Sequence, residues 1–331
     1  MKDCRIYSEI RKHSRATKSF HVPGHKAVRA FRSMFPIADM DVTELSYSDN
    51  LASPSGVIAE AEEDIAKILG VKYSYLITDG ATCGIMVMMY VASRFGKKII
   101  MPRNSHESVW NACRLLGLEP VVVQGKDNNG IMMPPDPEEL ETLVGGDASI
   151  AGMICVSPDY YGNIAPLEQY ADIMHQYGRL LFVDEAHGAY LGLEKSKDYA
   201  GNYADIWTDG AHKTLPTLTQ GALLSLNEDR LLAAVEEGLG IFRTSSPSYP
   251  IMASIEYGVK YLADNLHLID QAREAAEAFK QNAPFKIYES ADWTKLVIDC
   301  SDADISADIA EEALEKKGIY PELSDGRYLL F

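Results

Sequence analysis

Short apolar stretches alternate with longer helix-like segments from Lys72 to Leu226, and this alternation constrains the fold more than any other feature of the chain. The apolar stretches have the length and composition of buried strands, and several of the segments between them end at a glycine, as helices commonly do. Strands separated by helices of this length need crossover connections. The pattern therefore predicts an α/β fold of three layers, in which helices cover both faces of a mostly parallel sheet.

The predicted elements follow one another in a regular order. The strands are YSYLIT (73–78), KKIIMP (97–102), EPVVVQ (119–124), AGMICVS (151–157), RLLFVDEA (179–186), ADIWTDGA (204–211) and GALLSL (221–226). The helices are CGIMVMMYVASRFG (83–96), HESVWNACRLLG (106–117), DPEELETLVGG (136–146) and PLEQYADIMHQYG (166–178). An irregular arm (1–50) precedes this main domain (51–250), and residues 251–331 are expected to form a small α+β domain.

Composition narrows the classes of partner and compartment. The 331 residues carry a net charge of −17, which disfavours nucleic acid and anionic membranes as partners and is compatible with a cationic ligand. The five cysteines include no CxxC pair, so no metal site or disulfide framework is expected and a cytoplasmic location is favoured. The N-terminus lacks an apolar leader and no run approaches 18 apolar residues, so we expect neither secretion nor membrane spanning.

Candidate chemistry is sought where strands end, because open parallel sheets bind ligands at the carboxyl ends of their strands. The segment DGATCG (79–84) joins a strand to a helix, whose free amides can bind an anion with help from the Thr82 hydroxyl. The alternative is that its glycine merely allows a turn. The segment PRNSHES (102–108) suits a helix N-cap, with Ser105 or Asn104 as the capping residue, and it also directs His106 into the same crevice.

Two further segments complete the candidate site. A predicted apolar strand ends on Asp184, Glu185 and His187. A buried strand rarely ends in so much unpaired charge without a use, and the alternative is a capped turn into the next segment. Lys213 follows Asp184 by 29 residues and lies in AHKTLPTLTQ (211–220), where other charges are almost absent. This order of groups is typical of a pyridoxal phosphate pocket. Such a pocket has a phosphate-binding loop, then a planar side chain that stacks on the cofactor ring, then a carboxylate, and then a buried lysine. In such a pocket the lysine bonds the cofactor and the carboxylate keeps the pyridine nitrogen protonated.

Taken together, these motifs resemble the fold-type-I, pyridoxal-phosphate-dependent decarboxylases of ornithine, lysine and arginine, particularly their shorter bacterial branch. The similar stretches cover most of residues 19–260. They are SFHVPGHK (19–26), DVTELSYSDNLASPSGVIAEAE (41–62), DGATCG (79–84), PRNSHES (102–108), SPDYYGNIAPL (157–167), VDEAHGAYLG (183–192), AHKTLPTLTQGALL (211–224) and SSPSYPIMASIE (245–256).

The resemblance implies a role for each candidate residue. Lys213 would bond the cofactor, Asp184 would pair with the pyridine nitrogen, and His106 would stack on the ring. His187 would lie beside Asp184 against the other side of the ring, and His212 would lie near the phosphate. The phosphate-loop positions are Ala81, Thr82 and Cys83. Family members are dimers or larger oligomers with the active site at a subunit interface, so a homodimer is expected, with the TSSPSY loop (244–249) and the HVPGHK arm (21–26) near that interface.

The chain departs from the family pattern in three places. Ala81 and Gly210 stand where relatives usually carry hydroxyl side chains, which predicts weaker phosphate binding. The alternative for Gly210 is a left-handed backbone that a serine would strain. Relatives also continue beyond the position of Phe331, so this chain is expected to be a C-terminally shortened member. Weak cofactor affinity, altered substrate choice or loss of activity could each follow.

Three functions are compatible with these residues. The first is decarboxylation of lysine, ornithine or arginine to the corresponding amine, a reaction of polyamine metabolism, with Lys213 or His212 returning a proton to the α-carbon. The second is another reaction of the same cofactor, such as transamination or a lyase reaction. Many transaminases grip the substrate carboxylate with an arginine of the C-terminal segment. Transamination is disfavoured here because Arg327, the only arginine beyond Arg273, lies four residues from Phe331. The third is a non-catalytic homologue that associates with a longer partner.

Overall fold

The computed structural model describes residues 4–14, 18–303 and 305–331. The α-helices are α1 (Arg5–Ser14), α2 (Arg29–Met34), α3 (Val57–Leu69), α4 (Gly80–Phe95), α5 (Glu107–Leu116), α6 (Pro137–Gly146), α7 (Leu167–Gln176), α8 (Leu191–Glu194), α9 (Ala211–Thr214), α10 (Leu232–Phe242), α11 (Tyr249–Asp264), α12 (His267–Asn282) and α13 (Ala307–Glu315). Short 3-10 helices occupy Pro36–Asp39, Ala200–Asn202, Asp229–Leu231 and Cys300–Asp302. None of the helices in the described residues is both long and apolar enough to span a bilayer.

The strands form three sheets. They are β1 (Tyr73–Ile77), β2 (Lys98–Pro102), β3 (Glu119–Val123), β4 (Asp127–Asn128), β5 (Ile131–Met132), β6 (Ile150–Val156), β7 (Leu180–Asp184), β8 (Ile206–Asp209), β9 (Ala222–Leu226), β10 (Ile287–Tyr288), β11 (Val297–Asp299), β12 (Leu323–Ser324) and β13 (Tyr328–Leu330). The central sheet has seven strands in the order β1-β9-β8-β7-β6-β2-β3. Strand β9 runs antiparallel to both β1 and β8, whereas the other neighbouring pairs are parallel. The mostly parallel sheet predicted from the sequence is therefore confirmed.

The reversed direction of β9 follows from the segment before it. Residues 210–221 leave β8, form the single turn of α9 and enter β9, without a helix that crosses back over the sheet. A short connection of this kind joins antiparallel strands, because parallel neighbours need a crossover. The consequence is that α9, with Lys213, stays at the carboxyl edge of the sheet.

Helices cover both faces of this sheet, because the side chains of each strand alternate in direction. In β7, Leu181 and Val183 belong to one buried cluster, whereas Leu180 and Phe182 belong to the other. The first cluster also contains apolar residues of α1, α3, α6, α7 and α11, and the second contains those of α4, α5 and α10. This arrangement is the predicted three-layer α/β/α fold.

A smaller antiparallel sheet lies in the C-terminal segment, with the order β10-β11-β13-β12. Helix α13 packs against β13 and β12. Val297, Tyr328 and Leu330 form a small core with Ile131 of β5. The sheet is thus attached to the large domain by the β4–β5 hairpin. The domain boundaries at residues 50 and 250 stay predictions.

The β4–β5 hairpin was not anticipated, although its turn carries a recognisable signal. Asn129 and Gly130 have φ values of 58° and 95°, the left-handed conformation that Asn-Gly turns favour. The hairpin matters for function because Gly130 and Met132 reach the cavity described next.

Candidate active site

A cavity of about 680 Å³ opens at the carboxyl edge of the central sheet. It receives residues that follow β1, β2, β7 and β8, as the topology of an open parallel sheet predicts. The structure brings together seven of the eight residues proposed from the sequence as its lining. They are Ala81, Thr82, His106, Asp184, His187, His212 and Lys213.

The eighth residue, Cys83, lies in the same turn, but its side chain is elsewhere. Its thiol is 4% exposed and packs in the buried cluster beneath α4. Burial raises the pKa of this thiol to about 12, so Cys83 is a neutral apolar residue at physiological pH. A contribution of Cys83 to the loop is therefore limited to its backbone.

The start of α4 presents backbone donors to the cavity. Gly80 adopts a left-handed φ of 74°, and its N–H donates to the carbonyl of Gln220 at 2.9 Å. The next two amides, of Ala81 and Thr82, belong to the first turn and have no carbonyl four residues earlier in the helix. The side chain of the N-cap residue Asp79 accepts no bond from that turn. This helix start can therefore donate to an anion.

Asp184 ends β7 with its carboxylate at the floor of the cavity. The side chain is 3% exposed, and Oδ1 accepts the N–H of Ala186 at 3.1 Å. Burial raises the pKa of this carboxyl, whereas Lys213 and His106 act in the opposite direction. Glu185 faces away from the cavity, as strand alternation predicts, and its Oε1 accepts the N–H of Ala200 at 2.8 Å. The two adjacent acids thus have different surroundings.

His106 lines the cavity, as expected. It is also the N-cap residue of α5, so the expectation that Ser105 or Asn104 caps this helix is wrong. Its Nδ1 accepts the N–H of Ser108 at 3.2 Å, which means that the hydroxyl of Ser108, 2.7 Å away, donates to the same nitrogen. Two bonds to one nitrogen orient the imidazole plane and leave Nε2–H for other contacts.

Lys213 extends from α9 into the cavity and ends at His187. Its Nζ lies 3.0 Å from His187 Nε2, and on the other side of the ring Lys295 Nζ lies 3.2 Å from Nδ1. Burial lowers the pKa of Lys213, whereas Asp184 and Glu322 raise it. His187 therefore contacts the lysine amine directly, a contact that was not predicted.

His212 points to the opposite side of α9. Its backbone N–H donates to the Gly221 carbonyl at 3.1 Å, and its Nδ1 lies 3.0 Å from the same oxygen. A carbonyl oxygen can only accept, so Nδ1 carries a hydrogen. Nε2 is then an acceptor in the neutral ring and donates to an anion only when the ring is protonated.

Gly210 closes the gap between the segments that carry Asp184 and Lys213. Its φ is −81°, so the left-handed backbone considered for this glycine is wrong. A Cβ at this position would lie 2.6 Å from the carbonyl oxygen of Ala186, closer than real Cβ atoms come to any atom. The glycine is therefore required for close approach of two backbones rather than for a special φ.

Several lining residues had no assigned role at the sequence level. Thr219 and Gln220 lie at the same cavity as Ala81, where they offer a hydroxyl and an amide. The ring of Tyr160 stands at 75° to that of His187 with centroids 5.0 Å apart, and its hydroxyl donates to Glu322 at 2.6 Å. Tyr160 lies in a motif shared with the family. Lys295, by contrast, has no sequence signal, because it approaches His187 from a segment 108 residues away.

A second cavity, also of about 680 Å³, adjoins the first at Lys213. The two cavities share His187, His212 and Lys213. The second has mostly apolar walls with Lys295 and Glu322 among them. The apolar residues include Leu262, Leu268, Ile269, Ala272, Trp293 and Leu296. The lysine amine thus separates a polar cavity from a mainly apolar one.

Comparison with known proteins identifies relatives of this chain. A family described as "Orn/Lys/Arg decarboxylase, major domain" matches residues 5–299. The uncharacterized Bacillus subtilis protein YaaO is 35% identical over 98% of this chain and 72% of its own length. An arginine decarboxylase of Halalkalibacterium halodurans is 30% identical over 92% of this chain and 68% of its own length.

Solved structures show the same fold. The Escherichia coli constitutive lysine decarboxylase superposes with a TM-score of 0.84 at 20% identity, over 98% of this chain and 57% of that chain. A serine palmitoyltransferase of Sphingomonas wittichii superposes with a TM-score of 0.64 at 18% identity, over 86% of this chain and 74% of that chain. The fold is the fold-type-I α/β fold. The chain spans little more than half the length of the lysine decarboxylase.

Proposed function

Since this chain belongs to the Orn/Lys/Arg decarboxylase family, we propose that it removes the α-carboxylate of lysine, ornithine or arginine and releases the corresponding amine. The reaction would use pyridoxal 5′-phosphate held in the first cavity. One observation carries this proposal: the Lys213 amine, the Asp184 carboxylate and the open N-terminus of α4 line a single cavity.

The residues of this cavity fit the cofactor. The amides at the start of α4, with Thr82, Thr219 and Gln220, would hold the phosphate, although Ala81 offers no hydroxyl. Asp184 would accept the pyridine N–H, His106 would stack on the ring, and Lys213 would bond its aldehyde carbon. His212 would add a charged donor near the phosphate once protonated.

The bound cofactor supplies an electron sink for the negative charge left on the α-carbon when carbon dioxide departs. Asp184 would sustain that sink as a carboxylate that accepts the pyridine N–H. Lys213 and His106 favour its charged form, against the cost of burial. His106 cannot rotate freely, since Ser108 holds its Nδ1. A fixed acceptor and a fixed ring plane are the preorganisation that such a reaction needs.

Lys213 would move the protons of the reaction. Its amine is accessible from both cavities and lies against the unprotonated or protonated Nε2 of His187, according to the tautomer. From this position Lys213 would give way to the substrate amine, return when the product amine leaves, and supply a proton to the α-carbon. His212 is a less suitable donor, because the Gly221 carbonyl holds its Nδ1–H.

The second cavity suits the side chain of a basic amino acid. Its apolar wall would contact the methylene chain, and Glu322 would pair with a distal ammonium or guanidinium. Glu322 is held toward the cavity by the hydroxyl of Tyr160. The net charge of −17 would favour the approach of such a substrate.

Transamination, the second hypothesis from the sequence, would need Arg327 to bind the substrate carboxylate. Arg327 forms two bonds to Asp299, from Nε at 3.0 Å and from Nη2 at 2.9 Å, and it lines neither cavity. A bidentate pair of this kind occupies the guanidinium. It is therefore not placed to grip a substrate carboxylate.

We further propose that the protein acts as a cytoplasmic homodimer. The arm ahead of α3 exposes a set of large apolar side chains that a second copy would cover. They are Phe20, Val22, Val28, Met34, Phe35 and Ile37. The arm also contains the stretch HVPGHK (21–26), which the family resemblance assigns to the neighbourhood of the interface.

The direct test is a substrate panel. Protein reconstituted with pyridoxal 5′-phosphate is incubated with lysine, ornithine, arginine and a neutral amino acid, and carbon dioxide and amine are measured. We expect release from a basic amino acid, and loss of that release in Lys213→Met with the fold retained by circular dichroism. Pyruvate-dependent amino transfer without carbon dioxide, or no turnover and a dependence on a longer homologue, would overturn the proposal.

A further inference from the structure

His187 lies between Lys213 and Lys295, and this arrangement determines how many protons the three side chains can hold together. Lys213 Nζ is 3.0 Å from Nε2 and Lys295 Nζ is 3.2 Å from Nδ1. Burial and the neighbouring Lys295, Lys213, His106 and His212 lower the pKa of His187 to about 2. The ring is therefore neutral at any pH at which the protein works, with one N–H and one lone pair.

A neutral imidazole cannot accept from both lysines. An ammonium group has three donors and no acceptor, so two ammonium ions would leave the imidazole N–H facing a donor. One of the two lysines must then be a neutral amine that accepts this N–H. Within the described residues, neither lysine nitrogen has a carboxylate at ion-pair distance that would favour a second positive charge. The trio consequently holds one excess proton rather than two.

We propose that Lys295 is a positioning residue that stores, through the imidazole of His187, the proton that Lys213 must give up to act as a nucleophile. In the transfer, the Lys213 ammonium gives a proton to Nε2 while Nδ1 gives one to the Lys295 amine. Two N–H bonds break and two form, and the charge of the trio stays at one. The use of this transfer rests on the function proposed above, whereas the proton count does not.

The surrounding charges allow the proton to occupy either end. Lys213 faces Asp184 and Glu322, and Lys295 faces Asp292, Glu322 and Asp159. His106 and His212 face the imidazole from the first cavity. Burial lowers the pKa of both lysines, and Lys213 lowers that of Lys295 further by repulsion. Neither end is favoured by an ion pair, which is the condition for a reversible transfer.

Removal of Lys295 should make Lys213 a stronger base. With the second site for the shared proton gone, the Lys213 amine would hold that proton to higher pH, by about one unit or more. Arginine at the same position keeps the charge permanently, so Lys295→Arg should leave Lys213 as acidic as in the unaltered chain or more so. In a His187→Phe background, where no imidazole joins the two nitrogens, Lys295→Met should have less than half of its effect.

The experiment measures the Lys213 amine in protein without cofactor. Trace acetylation with acetic anhydride from pH 6 to 11, followed by peptide mapping, gives the pH of half-maximal labelling at Lys213. Lys317→Met, at an exposed lysine of the same C-terminal segment, serves as the matched control and should leave that pH unchanged. Circular dichroism and the labelling of the other lysines verify folding. We expect Lys295→Met to raise the half-maximal pH and Lys295→Arg not to raise it.

Three results would overturn the inference. They are an unchanged midpoint in Lys295→Met, an equal rise in Lys295→Met and Lys295→Arg, and an undiminished effect in the His187→Phe background. Because no cofactor is added, these results are separate from the proposed function. A failure of pyridoxal 5′-phosphate to bond Lys213 would contradict that function and leave the proton count intact.

Discussion

Gly210→Ser offers a sharp test of how the active site is assembled. The family resemblance implies a hydroxyl side chain at this position in relatives, which would suggest that serine restores a phosphate contact. The structure predicts the opposite, because a Cβ here would lie 2.6 Å from the carbonyl oxygen of Ala186. The contact is between two backbone segments: Ala186 lies in the segment that follows Asp184, and Gly210 lies in the segment that leads to Lys213. Neither segment can move aside as a flexible side chain would.

The magnitude follows from two opposing effects. Overpacking of this kind costs about 1–3 kcal/mol. Replacing glycine lowers the conformational entropy of the unfolded chain, which stabilises the folded state by about 0.4–1 kcal/mol. We therefore expect Gly210→Ser to lose roughly 1–2 kcal/mol in the free energy of unfolding. Gly210→Ala should lose a similar amount, because it adds the same Cβ.

Urea denaturation followed by tryptophan fluorescence measures this loss, and Gly240→Ala provides the matched control. Gly240 lies in α10 with no atom within 4 Å of its added Cβ, so that variant should gain about 0.5–1 kcal/mol. Cofactor titration should show weaker binding in Gly210→Ser than in the unaltered chain. A Gly210→Ser protein of normal stability that binds the cofactor more tightly would refute the contact and favour the missing-hydroxyl explanation.

Three further predictions concern the site and its support. Ala81→Ser should tighten cofactor binding by about 1 kcal/mol in a calorimetric titration, and no gain would mean that the first turn of α4 does not hold the phosphate. Asp184→Asn should lower kcat by about 100-fold or more while cofactor affinity changes far less, and near-normal turnover would exclude Asp184 as the pyridinium partner. Burial raises the pKa of Glu62 to about 7. The folded state therefore keeps a proton that the unfolded chain loses from about pH 4 upward. As a result, the free energy of unfolding falls as the pH rises to about 7. Glu62→Gln should remove up to about 3 kcal/mol of that decline between pH 5 and pH 8 in urea denaturation, and an unchanged decline would assign it to other groups.

Much of the fold could be read from the sequence, because strand and helix patterns in this chain are local. The strands predicted over 97–102 and 179–186 are observed at Lys98–Pro102 and Leu180–Asp184, and the helix predicted to end at Gly117 does so in a left-handed C-cap with φ of 69°. The direction of β9 could not be read in the same way. It depends on how the segment around Lys213 turns, and a periodic pattern does not contain that information.

The site divides along the same line. Residues that follow strands, such as His106 and Asp184, were identified because topology gathers strand ends at one edge. Lys295 was missed as a lining residue, and Glu322 could not be placed from the sequence, since both come from the C-terminal segment far along the chain. Cys83 was predicted at the phosphate loop because the loop motif consists of consecutive positions. Successive side chains of a helix point to different faces, and the side chain of Cys83 points into the core.

The central claim is that Lys213 bonds pyridoxal 5′-phosphate opposite Asp184. The most direct measurement is reduction of the reconstituted protein with borohydride, followed by proteolysis and mass spectrometry of every lysine-containing peptide. The account predicts one pyridoxyl group per chain, on Lys213, and none on the neighbouring Lys295. A pyridoxyl group on another lysine, with Lys213 unmodified at full reconstitution, would contradict it.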